Sequence, residues 1–333
     1  MSGIKPLRKV VMGPESVAGT AVAGTRIWHG GGLLEDTRVT KFIDKDVGIM
    51  GGINDSYVPK LGGTILLEST PATFEQLPVL LEMGVKKVTT GAADGSGSGK
   101  IYSYAFPTTA IPTLKTYTIE GGDNQEVEEM EYCHVADFTL TGDEGEAWTM
   151  GATVMGRQVT VSSFTTAATL PSVETILFQK TKLYIDAIGG TFGSTLKSNT
   201  LLAAQFTWKS GLRQKFTADG NLYFSFTQMT QPEARLKLTF EHDSTSTAEK
   251  VFWRAQTARK IRLLATGSAY TTAGSTYSSK TMIIDVAGKW EKFAKIGDRN
   301  GNDIIEAEFV SRYDTTAADW GKVLITNLLT VIP

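Results

Sequence analysis

Asp298, Asn300 and Asn302 alternate along "GDRNGND" as the oxygen ligands of a calcium loop would. Such a loop needs glycine at its sixth position for the sharp turn and a bidentate glutamate at its twelfth. Counted from Asp298, those places hold Asp303 and Phe309, so the ligand set fails. Asn300-Gly301 is instead a favoured pair for a tight hairpin turn with positive φ. The residues after this pair alternate strictly, with Ile305, Ala307 and Phe309 on one face and Glu306 and Glu308 on the other. A second candidate, "GSGSGK" ending at Lys100, suggests a phosphate-binding loop. That motif requires glycine where Asp94 stands and a hydroxyl residue where Ile101 follows the lysine. A third, "GGDNQEVEEMEYCH", gathers Glu126, Glu128, Glu129 and Glu131 beside Cys133 and His134. A nucleophilic Cys–His pair must meet in space, whereas neighbours on a strand point to opposite faces. The glutamates could form a metal cluster or paired acids; the plainer reading is a solvated strand edge whose charge opposes aggregation. His29 and His242 have no spaced partner. None of these stretches predicts an enzyme, a metal site or a cofactor.

They sit in a chain of ordinary globular balance, 41% hydrophobic and 20% charged, enough for a sizeable core. The formal net charge of -2 provides no basic field for gripping nucleic-acid phosphates. The single cysteine, Cys133, rules out an intrachain disulfide framework, and three histidines leave little for zinc. No apolar run is long enough to span a membrane. The opening "MSGIKPLRKVVMGPESVAGTAVAG" lacks the apolar core of a signal peptide, and Pro14 and Glu15 interrupt it. A soluble protein folded in a reducing cytoplasm is the expectation.

The elements that position these residues read as an internal repeat. A length of 333 residues suits two domains or one large β domain. "FTLTGDEGEAWTMGATVMGR" (138–157) aligns without a gap on residues 293–312, at an offset of about 155 residues that suits a duplicated domain. Phe138 meets Phe293, Ala152 meets Ala307 and Arg157 meets Arg312. "RIWHGGG" (26–32) is similar to "KLYIDAIGG" (182–190), and "TFEQLPVLLEMG" (73–84) to "TAEKVFWRAQTA" (247–258). The last pair reads as short helices with an acidic first turn. Pro78 keeps the first one short, and Leu77, Leu80, Leu81, Val251 and Phe252 cover a sheet. The rest alternates as strands: "NLYFSFTQ" (221–228), "ARLKLTFE" (234–241), "TMIIDVAG" (281–288) and "TYTIEGG" (116–122). The expected organisation is an arm over 1–25, a first domain over 26–165 carrying a long loop at 35–63, and a second domain over 175–333. The small-residue stretch "TTAATLPSVE" (165–174) is the linker between them. Residues 91–100 read as a flexible surface loop. A loop as long as 35–63 is usually functional or ordered by a partner.

Several stretches together resemble the major tail tube proteins of long-tailed, siphovirus-type bacteriophages. They are the N-terminal "MGPESVAGTAV" with its Glu-x-x-x-Gly-Thr pattern, the extended charged loop, and "GGTILLESTPATFEQLPVLLEMG". The series continues with "YTIEGGDNQEVEEMEYCHVADFTLTGDEGEAWTMGATVMGR" and closes with "GDRNGNDIIEAEFVSRYD" and "GKVLITN". The resemblance covers nearly the whole chain and rests on patterns of elements rather than on invariant catalytic residues. It implies a mainly β fold: two tandem sandwich- or barrel-like tube domains, each with one short flanking helix. It further implies a structural virion protein, assembled in the host cytoplasm, whose rings stack into the conduit for DNA ejection. A single tube domain per chain is usual in the family, with hexameric rings. Two per chain imply homotrimeric, pseudo-hexameric rings with head-to-tail interfaces. The implied partners are other copies of the chain, the tape measure protein, double-stranded DNA in transit, and the terminator and baseplate proteins.

Candidates for charge lining the lumen are Glu126, Glu128, Asp143, Glu144, Glu306 and Glu308, since an acidic wall repels phosphate. Candidates for ring stacking lie in the long loop: Lys41, Phe42, Ile43, Asp44, Lys45, Asp46, Ile49 and Met50, with Arg213 and Lys215 in its counterpart at 209–220. Residues 1–25 and the tail after Leu328 should order only on assembly. The competing readings are a tail terminator or neck ring, a carbohydrate-binding or surface β-sandwich, and an enzyme built on the glutamate-rich strand.

Overall fold

Residues 3–332 are described by the computed structural model, and they are mainly β. The first half runs β1 (Lys9–Pro14), β2 (Arg26–Ile27), β3 (Leu34–Asp36), β4 (Lys41–Phe42), β5 (Ser56–Tyr57) and β6 (Gly63–Pro71) into α1 (Leu77–Gly84). It continues through β7 (Ala92–Ala93), β8 (Lys100–Ala105), β9 (Tyr117–Gly122), the long β10 (Val127–Asp143), β11 (Thr149–Gly156) and β12 (Val159–Val161). The second half runs β13 (Thr181–Ala187), β14 (Leu196–Lys197), β15 (Leu201–Lys209), β16 (Leu212–Lys215), β17 (Phe226–Met229) and β18 (Glu233–Glu241) into α2 (Ser244–Arg254). It closes with β19 (Arg259–Ala269), β20 (Ser279–Phe293), β21 (Gly297–Arg299), β22 (Asn302–Ser311) and β23 (Gly321–Asn327).

The pairings recur from half to half. β1 pairs β2 and β9, as β13 pairs β14 and β19. β6 pairs β3 and β11, as β18 pairs β15 and β22. β10 pairs β9, β11 and β12, as β20 pairs β19, β22 and β23. Register agrees too: Phe138 lies opposite Ala152 and Phe293 opposite Ala307. A bulge interrupts each ladder at the matching place, between Val135 and Asp137 and between Trp290 and Lys292. The insertion β7–β8 is found in the first half only, and β8 pairs β23 of the second.

The halves join edge to edge. The C-terminal part of β10 pairs β15, from Asp137 opposite Lys209 to Asp143 opposite Ala203. The result is one antiparallel ladder in the order β3, β6, β11, β10, β15, β18, β22, β20. Its inner face is apolar because strand alternation sends Val154, Phe138, Phe206, Leu238 and Phe309 to the same side, all buried. Each such side chain contributes about 1.5–3 kcal/mol of hydrophobic stabilisation. The β21–β22 turn has Asn300 at φ 55° and Gly301 at φ 85°, the double positive conformation that Asn-Gly favours.

The helices differ. α1 is buried throughout, packed between β10 and β8, with Pro78 in its first turn. Asp243 caps α2 with a reciprocal Ser246 bond, but that helix buries only Ser246 and Glu249. Val251 is exposed rather than covering a sheet. Neither expected first-turn glutamate works on a helix dipole. Glu75 precedes α1 and binds Lys280 at 2.6 Å, while Glu249 lies mid-helix and binds Arg259 at 2.7 Å.

Other expectations need correction. Residues 9–14 of the presumed arm are a strand paired along β9, with Val10, Val11 and Met12 buried. The tail is docked as well: Tyr102 Oη donates to the Leu329 carbonyl at 2.7 Å, and Ile332 is buried. Pairing matches β13 to β1, so residues 182–187 correspond to 9–14 and not to 26–32. "NLYFSFTQ" is mostly loop; Leu222 and Phe226 are exposed, and strand structure begins at Phe226. The 91–100 loop is fastened by Asp94, which accepts from the Thr276 and Tyr277 amides at 2.9 and 2.7 Å. The 165–174 stretch is pinned to the first half: the Thr165 amide donates to Glu120 at 2.7 Å, Thr169 bridges to Arg26, and Thr175 just beyond bridges to Thr73.

Candidate interaction surface

The outer face of the long ladder is polar because the same alternation that buries one set of side chains exposes the other. β10 contributes Thr139 and Thr141, β15 Gln205 and Thr207, β18 Arg235 and Lys237, and β22 Glu306 and Glu308. Opposite charges meet across strands: Lys237–Glu306 at 2.8 Å, Lys292–Glu308 at 3.8 Å and Lys209–Glu233 at 3.9 Å. Arg235 bridges Glu233 and Glu291, both at 2.5 Å. At one end Arg299 holds Asp143 at 2.7 Å and Glu144 at 3.0 Å. Pairs this exposed contribute about 0–1 kcal/mol each, so their effect is on surface charge rather than stability.

Four of the six predicted lumen carboxylates are therefore on this face or at its end, and each has a cationic partner. This face therefore carries paired charge rather than uniformly acidic charge. Glu126 and Glu128 lie elsewhere, Glu126 in the turn between β9 and β10 and Glu128 on β10, opposite Val161 of β12. Burial, then Glu126 and Asp36 nearby, raises the Glu128 carboxyl above its ordinary value. The glutamate run is not a uniformly solvated edge either: Glu131 is buried, and Glu129 accepts from Ser162 Oγ at 3.4 Å.

Cys133 and His134 are both buried, because β10 passes between packed layers there and Tyr132 turns it at φ 55°. Each looks to backbone, Cys133 Sγ to the Met130 carbonyl at 3.0 Å and His134 Nδ1 to that of Tyr132 at 3.2 Å. Burial pushes the thiol up and the imidazole down to about 4. The two do not form a nucleophile–base pair.

The stacking candidates of the first loop project outward. Phe42, Ile49 and Met50 are exposed, Met50 completely, and so are Lys41, Asp44 and Asp46. Ile43 donates its amide to the Asp55 carbonyl, and Lys45 pairs with the Asp55 carboxylate, fastening the hairpin just beyond β4 and β5. The counterpart loop, with Arg213 and Lys215 on β16, instead folds back on the first half. Arg157 fastens it, donating to the Phe224 and Ser225 carbonyls at 3.1 and 2.8 Å. The Arg157 guanidinium also lies 4.6 Å from the Tyr132 ring and 5.0 Å from that of Tyr223. Comparison with protein-family models and with curated proteins gives no match.

Two features escaped the reading of residue types. One is the Arg157 clamp, signalled only by its place in the repeat. The other is Glu15, whose buried carboxylate accepts from the Gly19 and Tyr132 amides at 2.7 and 2.8 Å and from Thr116 Oγ1 at 2.7 Å. That cage seats residues 15–24 along β9, and it is what the Glu-x-x-x-Gly-Thr pattern encodes. Trp148, Trp208, Trp290 and Trp320 are buried, so they form no exposed aromatic platform. Among the described residues no group of three His, Cys, Asp or Glu could hold a metal ion, and no helix is long and apolar enough to cross a membrane.

Proposed function

We propose that this chain is a structural ring subunit of a bacteriophage tail tube, carrying two tube modules that occupy adjacent places around a hollow bore. The observation that supports this best is the edge-to-edge joint of β10 to β15, which merges both halves into one ladder with a continuous polar face. In this reading that face lines the bore, with Glu306, Glu308, Asp143 and Glu144 among its charges. Carboxylates paired with lysine and arginine, set among threonines, leave no unpaired basic stripe for counterion release, so a duplex slides instead of binding. The first loop, with Phe42 on its stem and Ile49 and Met50 at its tip, engages the next ring. Three chains complete a pseudo-hexameric ring, the tape measure protein and then DNA occupy the bore, and terminator and baseplate proteins close the ends.

Negative-stain microscopy of the purified protein tests this directly. Long hollow rods are expected. Single rings that never stack point to a terminator or neck ring, and a protein that stays monomeric at every concentration overturns the proposal.

A further inference from the structure

We infer that residues 292–298 of one chain pair with residues 31–37 of a second copy of the same chain, repeating between molecules the joint that β10 and β15 make within one. This deepens the ring reading and rests on it. The recurrent pairings supply the register. Leu34 lies opposite Ile65, which lies opposite Val154; Phe206 lies opposite Leu236, which lies opposite Phe309. Leu34 therefore stands where Phe206 stands, and Phe293 where Phe138 stands. Thr139 is opposite Thr207 in the internal joint, so Ala294 falls opposite Glu35 of the second copy.

Both edges are open among the described residues. Beyond the bulge at Glu291, β20 pairs only β22, and β3 pairs only β6. The edges also complement each other. Exposed Ile296 falls opposite exposed Leu33, and Lys292 lies diagonal to Glu35. Asp298 arrives beside Gly31, at a 220 Å³ cleft walled by Lys5, Arg8 and Lys9.

A second feature lies alongside. Arg312 is the counterpart of Arg157 but is exposed, with Glu233 as its nearby counter-charge instead of a clamped loop. It borders a 450 Å³ cleft with Tyr313, Gln231 and Trp320. The base of the second copy's projecting loop lies against this cleft, as the 210–231 loop lies over Arg157 within the chain, and its tip at Ile49 and Met50 stays free for the next ring.

The test is a paired-cysteine variant, Ala294→Cys with Glu35→Cys, oxidised and run on a non-reducing gel. Cys133 is fully buried and stays silent. Covalent dimers and higher multiples are expected, with each single variant remaining uncrosslinked. Separately, Arg312→Glu should raise the concentration needed for assembly roughly tenfold while thermal unfolding is unchanged. If scattering shows oligomers but no crosslink forms, while Thr139→Cys with Thr207→Cys closes readily inside the chain, the register is wrong and the ring reading survives. A protein that never associates removes both.

Discussion

Glu82 carries the clearest chemical tension in the molecule. It lies on the fully buried α1, where its carboxylate accepts from Tyr117 Oη at 3.3 Å and the Val88 amide at 3.4 Å. Burial pushes its carboxyl up to about 7 against those bonds. A folded-state value above the unfolded one means that its stabilising contribution is complete below the ordinary carboxylate range and is lost as pH rises through about 7. His134 works the other way: burial holds it at about 4, so its contribution is present above the ordinary imidazole value and lost as pH falls through about 4. Glu82→Gln should therefore flatten the fall in melting temperature between about pH 5 and pH 8. A variant that falls as steeply as the parent would show that Glu82 is not the group responsible. Glu249 adds a second buried charge, held by Arg259 at 2.7 and 3.1 Å and by Trp290 Nε1 at 3.0 Å. Glu249→Ala leaves Arg259 unpaired and should cost about 3–5 kcal/mol in urea unfolding.

Among the elements, the projecting β4–β5 loop and the clamped β16–β17 loop occupy the same place in their halves yet have opposite fates. Since Phe42 and Met50 touch little of their own chain, Phe42→Ser with Met50→Ser should change unfolding free energy by less than about 0.5 kcal/mol. In the proposed tube it should still slow rod growth; normal rods would move the stacking contact elsewhere. The strands legible in the sequence are those with one face on the core and one in solvent, such as β18 and β22, where burial forces alternation. β1 was harder: its Val10, Val11 and Met12 are all buried, and a strand covered on both faces reads as a plain apolar run. Phe224 misled for another reason: it is buried under a loop, against Tyr132 and His134, and not within a strand. The hairpin at Asn300-Gly301 was legible because turn chemistry is local. Which edge meets which was not, because the β10–β15 and β8–β23 joints depend on residues far apart in sequence.

Taken whole, the molecule does not divide cleanly at its linker. Trp208 of the second half donates to the Gly84 carbonyl of the first at 2.9 Å and lies 4.6 Å from the ring of Phe106. β8 completes the sheet of β23, and β15 completes that of β10. One cooperative unfolding unit is the expected consequence. Calorimetry should show a single unfolding transition, and a chain cut to 1–165 should fail to fold, having lost the partners of β8 and β10. Two well-separated transitions would mean that the joint is too weak to couple the halves.

One indole was left partly in solvent when the others went inside. Trp253 on α2 donates to the Glu291 carbonyl at 3.1 Å, at the bulge where the open part of β20 begins, and rests on Phe293 at 5.6 Å. The matching carbonyl, that of Ala136, receives the Ser210 amide at 2.8 Å where the halves meet. In the proposed ring an arriving neighbour brings its own donor to a spot this indole already guards. In the proposed ring Trp253 is a native fluorophore at the seam, one whose emission should shift to the blue as water leaves it, making association visible without any added dye.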